Sequence, residues 1–150
     1  MFKTAFALAI PLALALTARA EDKKTYDDKE FVVKAANCGM LEVEISKLAA
    51  DQATRPEVKD FAKKLVADHT KANEALKTAA TSASIPVPEK LDAEHQTILD
   101  KFKAMKGSDF DSAYLKQMHE DHVKAVECLT KASKESKVAA IRDFATNTLP

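Results

Sequence analysis

The chain has 150 residues, and its 23 lysines and arginines balance 23 aspartates and glutamates, so the formal net charge is zero. A chain without excess positive charge has no electrostatic reason to bind nucleic acid or an anionic membrane surface. Two glycines, no tryptophan and abundant alanine, lysine, glutamate and leucine favour an all-α protein with one core.

Residues 1–20 have the pattern of a secretory signal peptide. Lys3 precedes an apolar run from Ala5 to Leu16, and Ala18-Arg19-Ala20 is an A-x-A cleavage signal. The run is shorter than the roughly 20 residues that span a bilayer, and no later segment is a second candidate. We therefore predict a soluble mature domain, residues 21–150, that is exported to the periplasm or another part of the cell envelope without inserting into the membrane.

The next segments predict a helical hairpin. A first helix begins near Asp27 or Asp28, runs to about Ala53, and has the seam Phe31, Ala35, Cys38, Glu42, Ile45 and Ala49. Residues 54–57, Thr-Arg-Pro-Glu, have the spacing of a capping box and predict a tight turn. A second helix follows, with the seam Val58, Ala62, Leu65, His69, Ala72, Leu76 and Ala79. Pro86 and Pro88 predict an extended crossing after it.

Three more helices are predicted after this crossing. The third begins near Pro88 or Glu89, ends at Gly107, and has the seam Leu91, His95, Ile98, Phe102 and Met105. Ser108, with Asp111 three residues on, opens the fourth, whose seam is Leu115, Met118, His122, Ala125, Leu129 and Ala132. A short fifth helix over about 137–149 is predicted to pack across the open end of the bundle.

The lengths of the connections predict the topology. Short turns inside each pair of helices and a longer segment between the pairs indicate an up-down-up-down four-helix bundle with a short fifth C-terminal helix. Residues 68–76 and 121–129 both read D-H-x-K-A-x-E-x-L. We interpret the chain as two copies of one helical hairpin.

Four polar residues interrupt the four apolar seams: Glu42, His69, His95 and His122. Each lies about 20 Å from its hairpin turn, at 1.5 Å per residue, so the four converge if both turns lie at one end of the bundle. Such groups are costly in a core unless they bond to one another or to a metal. Imidazole nitrogens and a carboxylate oxygen suit a transition metal ion such as zinc, copper or iron, and His119 could add a further ligand. The first hypothesis is therefore a metal-buffering or metal-sequestering envelope protein.

The alternative is a metal-free envelope stress or interaction protein, in which the same groups form a structural hydrogen-bond network. Asp68 and Asp121 directly precede their histidines, about 100° around the helix, and are interpreted as outer or surface groups. An enzyme is the third hypothesis, because no nucleophile with its base is visible and only an open metal position would supply chemistry. No protein partner is indicated, and the chain is compatible with a homo-oligomer.

Cys38 and Cys128 are the two cysteines of the chain. They are predicted at heights that differ by only about 3 Å, on neighbouring first and fourth helices. In an oxidising compartment this arrangement favours a disulfide, which would contribute roughly 4 to 5 kcal/mol in the chain-entropy model. The alternatives are two buried thiols, or Cys38 as a soft copper ligand.

The chain also resembles a bacterial secreted family catalogued as domain of unknown function 4142, which is placed with ferritin-like folds. The resemblance covers nearly the whole mature chain, and the stretches that carry it are 31–36, 40–44, 47–49, 56–62, 68–73, 91–96, 107–114 and 144–150. It implies a ferritin-like bundle in the cell envelope and no settled activity. Ferritin-like di-iron sites use Glu-x-x-His pairs, whereas Val66 and His119 stand three residues before His69 and His122. This departure argues against a di-iron centre.

Overall fold

The computed structural model describes residues 26–149, which form five α-helices and no strand. The helices are α1 (Asp28–Gln52), α2 (Pro56–Ser82), α3 (Ala93–Ala104), α4 (Gly107–Glu135) and α5 (Ala139–Thr148). The predicted all-α fold with a short fifth helix is confirmed. The predicted signal peptide, residues 1–20, lies outside the described residues.

The α1–α2 hairpin has the predicted bounds but a different turn. Asp27 caps α1, because its carboxylate accepts hydrogen bonds from the amides of Lys29 at 2.8 Å and Glu30 at 3.2 Å. Pro56 is the first residue of α2, where its missing N–H costs nothing. The capping box predicted at Thr54 is wrong, since Thr54 donates its hydroxyl to Asp111 of α4 and does not cap α2.

Helix α3 is shorter than predicted. It begins after Asp92, whose carboxylate accepts a hydrogen bond from the His95 amide at 2.9 Å. Gly107 is the first residue of α4, and not the end of α3, with a φ of 64° that favours glycine. With only 12 residues, α3 covers part of the 25-residue α1.

Two separate hydrophobic cores result. The turn-side core lies near the α1–α2 turn and contains Leu41, Ile45, Ala49, Ala53, Val58, Ala62, Leu65, Leu99, Phe102, Phe110, Tyr114 and Met118. The α5-side core contains Phe31, Val32, Ala36, Leu76, Ala80, Ala132, Ile141 and Ala145. The short helix α3 therefore packs in the turn-side core, and the short helix α5 packs in the α5-side core.

The long helix α1 packs against α2, α3 and α4, whereas α5 packs against α4 and α2. The predicted contact between the first and fourth helices is thus present. The up-down-up-down order of the helices stays a prediction. Within residues 26–149, none of the helices combines the length and apolar character needed to cross a bilayer.

Candidate functional site

Glu42 and His69 form an ion pair that joins α1 to α2 where the two cores meet. His69 Nδ1 lies 2.6 Å from Glu42 Oε2, and Glu42 is only 4% exposed. Burial by itself would lower the pKa of His69, but the hydrogen bond and the charge of Glu42 outweigh it and raise that pKa. When it is protonated, the imidazole supplies both a hydrogen bond and a positive charge to a carboxylate that has almost no water.

The two helices approach closely beside this pair. A Cβ atom placed on Gly39 would lie 2.0 Å from Asn73 Oδ1, so the Asn73 amide occupies the space that a side chain at position 39 would need. Asn37, buried on α1, donates to the carbonyl of Val33 and accepts from the amide of Asp92 at 2.9 Å. These contacts tie α1 to α2 and to the segment that enters α3.

His122 contacts the Glu42–His69 pair only through its ring. The rings of His69 and His122 are 5.2 Å apart in an edge-to-face arrangement, but His122 itself is exposed. Its Nδ1 donates to the carbonyl of Met118, one turn earlier in its own helix, at 2.8 Å. His119 is also exposed, on the outer side of α4.

His95 belongs to a different group. Its Nδ1 donates to Asp92 Oδ1 at 2.7 Å, and its Nε2 lies 3.7 Å from the Cys38 sulfur. The hydrogen bond from the His95 amide is the main reason that the pKa of Asp92 lies below its usual range. Thiol, imidazole and carboxylate follow the order of a nucleophile, its base and an orienting acid. Burial and the charges of Glu42 and Asp121, however, raise the pKa of Cys38 to about 11, so the thiol stays protonated near neutral pH.

The predicted metal-binding function is wrong. Among residues 26–149, no group of three or more His, Cys, Asp or Glu side chains is arranged to hold a metal ion. The predicted ligands were Glu42, His69, His95, His122 and His119. The physical reason is that the five side chains do not gather at one point: His95 lies with Asp92 and Cys38, and His122 and His119 are exposed on α4. What remains is a salt bridge across two helices.

The sequence prediction missed Asp121 because it gave α4 the wrong inner face. Asp121, interpreted as an outer group, has a side chain only 13% exposed and lies near Glu42. Burial first, and then the charge of Glu42, raise its pKa, while a hydrogen bond from Gln117 Nε2 at 2.8 Å opposes the rise. The spacing of 118, 121, 125, 128 and 132 is the signal of this face, although the predicted stripe through His122 fits helical periodicity equally well. Its counterpart in the repeat, Asp68, is on the surface beside Lys64.

Both cysteines face one cavity between α1, α2, α4 and α5. Its volume is about 140 Å³. The apolar wall consists of Phe31, Ala35, Ala72, Leu76, Ala125, Leu129 and Phe144. The charged side chains that line the cavity are Lys34, Glu42, His69, Asp121 and Lys124. Cys38 and Cys128 line it as free thiols, so the disulfide predicted between them is not formed in the structure.

Five helices and a layer of polar groups that mostly satisfy one another define an all-α bundle protein whose inner charges join its helices. The chain belongs to the family described as Domain of unknown function (DUF4142), whose model matches residues 13–150. The resemblance seen in the sequence is thereby confirmed at the level of the family. No curated protein matches the chain, and neither does any solved structure. The ferritin-like fold and bacterial origin that the resemblance implies stay predictions.

Proposed function

We propose that the protein is a metal-free component of the cell envelope that works by binding other molecules, and that its Glu42–His69 pair is structural. The observation that carries the structural assignment of the pair is the 2.6 Å contact between a carboxylate and an imidazole that are both largely removed from solvent. Each group supplies the other with a hydrogen bond and a charge partner, which is what a structural pair requires.

The pair also explains why charged groups are kept in the interior. A buried carboxylate is costly, and only alignment of Glu42 with His69 removes that cost. Any slip of α2 along α1 would separate them. The pair therefore favours one register of the hairpin, in agreement with the close approach of Gly39 and Asn73 beside it.

Export is part of the proposal and rests on residues 1–20, which combine a basic start, an apolar run and Ala18-Arg19-Ala20. Determining the N-terminal sequence of the protein from the periplasmic fraction tests it. We expect Glu21 as the first residue.

The structural role is tested by metal content and stability together. Purified mature protein and its His69→Leu variant are incubated with zinc, copper and iron salts, dialysed and analysed for metal. We expect no stoichiometric metal in either. His69→Leu should lower the free energy of unfolding by about 3 kcal/mol, because it leaves the buried Glu42 carboxylate without a partner.

Two further variants serve as controls. Glu42→Leu combined with His69→Leu should recover most of that loss, because an apolar pair leaves no charge uncompensated. His122→Leu changes the equivalent residue of the repeat, which is exposed, and should stay within about 0.5 kcal/mol of the unmodified protein. A stoichiometric metal that is lost in His69→Leu would overturn the proposal.

A further inference from the structure

The cavity between α1, α2, α4 and α5 has the size of a small ligand. Its volume of about 140 Å³ is close to that of an apolar cavity known to hold benzene, roughly 150 Å³. Phe31 and Phe144 lie toward one end of the space, and Ala72 and Ala125 supply small side chains along its length.

The other end of the cavity has charged groups of both signs. Lys34 and Lys124 line the cavity but are exposed, whereas the charged groups that are largely removed from solvent are Glu42, His69 and Asp121. Glu42 is paired with His69. Asp121 has a hydrogen bond from the neutral amide of Gln117, and its nearest lysine, Lys124, is 3.8 Å away with a side chain that is 64% exposed. Asp121 is therefore a largely buried carboxylate without a buried cation of its own.

This charge distribution selects among ligand classes. An anion beside Asp121 would be repelled by that largely buried carboxylate, and the exposed Lys34 and Lys124 would offset this only weakly because their charges are screened by water. A neutral apolar molecule would fill the space but would not give the Asp121 carboxylate a cationic partner. A protonated amine would give Asp121 a charge-assisted hydrogen bond while its hydrocarbon part contacts the apolar wall.

We propose that this cavity binds a small apolar molecule carrying one protonated primary amine, with the ammonium group at Asp121 and the hydrocarbon part between Phe31 and Leu76. This inference rests on the proposed binding function and names a class of ligand for it, but it does not depend on the structural role of the Glu42–His69 pair. The metal and stability measurements concern the Glu42–His69 pair, whereas ligand binding depends on the space beside it.

The probes are benzylamine, benzyl alcohol and benzoate, which share a ring and differ in charge. Each is titrated into the isotopically labelled mature protein, and amide chemical shifts report where and how tightly it binds. We expect benzylamine to shift the amides around the cavity and to bind at least about tenfold more tightly than benzyl alcohol, because a charge-assisted hydrogen bond contributes that much. Benzoate should not bind.

Three variants locate the site. Asp121→Asn should reduce the affinity for benzylamine to that for benzyl alcohol and leave the latter unchanged. Asp68→Asn, the matched change in the first copy of the repeat, alters an exposed carboxylate outside the cavity and should change neither affinity. Ala125→Leu should exclude all three probes, and its far-ultraviolet circular dichroism shows whether it has folded.

Several results would overturn the proposal. They are the absence of benzylamine-induced shifts around the cavity, benzoate binding as tightly as benzylamine, and a benzylamine affinity that Asp121→Asn does not change. Binding that survives in a folded Ala125→Leu variant would place the probe elsewhere and would also overturn it.

Discussion

The Asp111 carboxylate of α4 accepts hydrogen bonds from the backbone amide of Thr54 at 2.9 Å and from its hydroxyl at 2.7 Å. The same carboxylate accepts a hydrogen bond from the amide of Arg55 at 2.9 Å. A side chain from a distant helix thereby satisfies amides at the start of α2, where a helix lacks internal partners. The Thr54 hydroxyl is the main cause of the lowered pKa of Asp111.

Replacing Asp111 with Asn should lower the midpoint of thermal unfolding at pH 7, because an amide keeps only one accepting oxygen and faces two N–H donors. A group whose pKa is lowered in the folded state stabilises above its unfolded-state pKa, here an ordinary 3.8, and loses that contribution as the pH falls through the folded-state pKa. The gap between the two proteins should therefore close in acid. Circular dichroism melts between pH 7 and pH 2 measure it.

Asp109→Asn is the matched control for this prediction, because Asp109 is exposed in the first turn of the same helix. It should change the midpoint much less. Equal effects of the two changes, or a gap that stays constant in acid, would show that the Asp111 contacts do not stabilise the turn.

The Glu42–His69 pair predicts the opposite dependence on pH. Because the pKa of His69 is raised above its ordinary 6.5, its charge-dependent stabilisation is complete below 6.5 and is lost as the pH rises through the folded-state value. The difference in unfolding free energy between the unmodified protein and His69→Gln should shrink from pH 5 to pH 9. Urea denaturation at each pH measures it.

His119→Gln provides the reference, since His119 is exposed on the outer side of α4. Its difference from the unmodified protein should be small. A His69→Gln difference that grows with pH would contradict the assigned direction of the pKa change.

The contact between Gly39 and Asn73 predicts a mutational pair. Gly39→Ala brings a methyl group into the space of the Asn73 amide and should destabilise the protein by about 1 to 3 kcal/mol. Adding Asn73→Ala removes the obstacle and should restore most of that loss, aided by the higher helix propensity of alanine. Chemical denaturation of the two single variants and the double variant measures the coupling. If the double variant is no more stable than Gly39→Ala, another neighbour is responsible.

The environment of Cys38 predicts its reactivity. With a pKa of about 11, the thiol should react slowly with iodoacetamide at pH 8 and faster as the pH approaches 11, since the thiolate is the nucleophile. The measurement uses Cys128→Ser, in which Cys38 is the remaining thiol. Adding Asp121→Asn removes a nearby negative charge and should increase the rate at pH 8. A rate that reaches its plateau below pH 9 would exclude the raised pKa.

Local signals explain what could be predicted of the fold. The start of α1 was predicted because Asp27 caps amides only two and three residues away. The start of α3 was predicted too early, because Pro88 and Glu89 look like a helix start and the cap that matters is Asp92. Thr54 looked like a cap for α2, but its partner Asp111 lies on another helix. No local pattern reveals such a contact.

The site could be predicted only in part, again because local patterns do not reveal contacts between helices. Glu42 and His69 were placed on facing helices, and they do meet. On α4, the stripes through His122 and through Asp121 fit helical periodicity equally well, since both contain Met118, Ala125 and Ala132. Asp121 lies on the interior side because the Gln117 amide donates a hydrogen bond to it and because it lines the cavity. Neither contact can be read from the periodicity of apolar residues.

Each of the two short helices packs against a different part of the α1–α2 hairpin, in a different core. Phe102 of α3 is buried in the turn-side core, and Ile141 of α5 is buried in the α5-side core. Distant substitutions without shared neighbours add in their effect on stability. One end of the molecule can therefore accumulate sequence changes during evolution without compensating changes at the other, as long as the hairpin between them keeps its register.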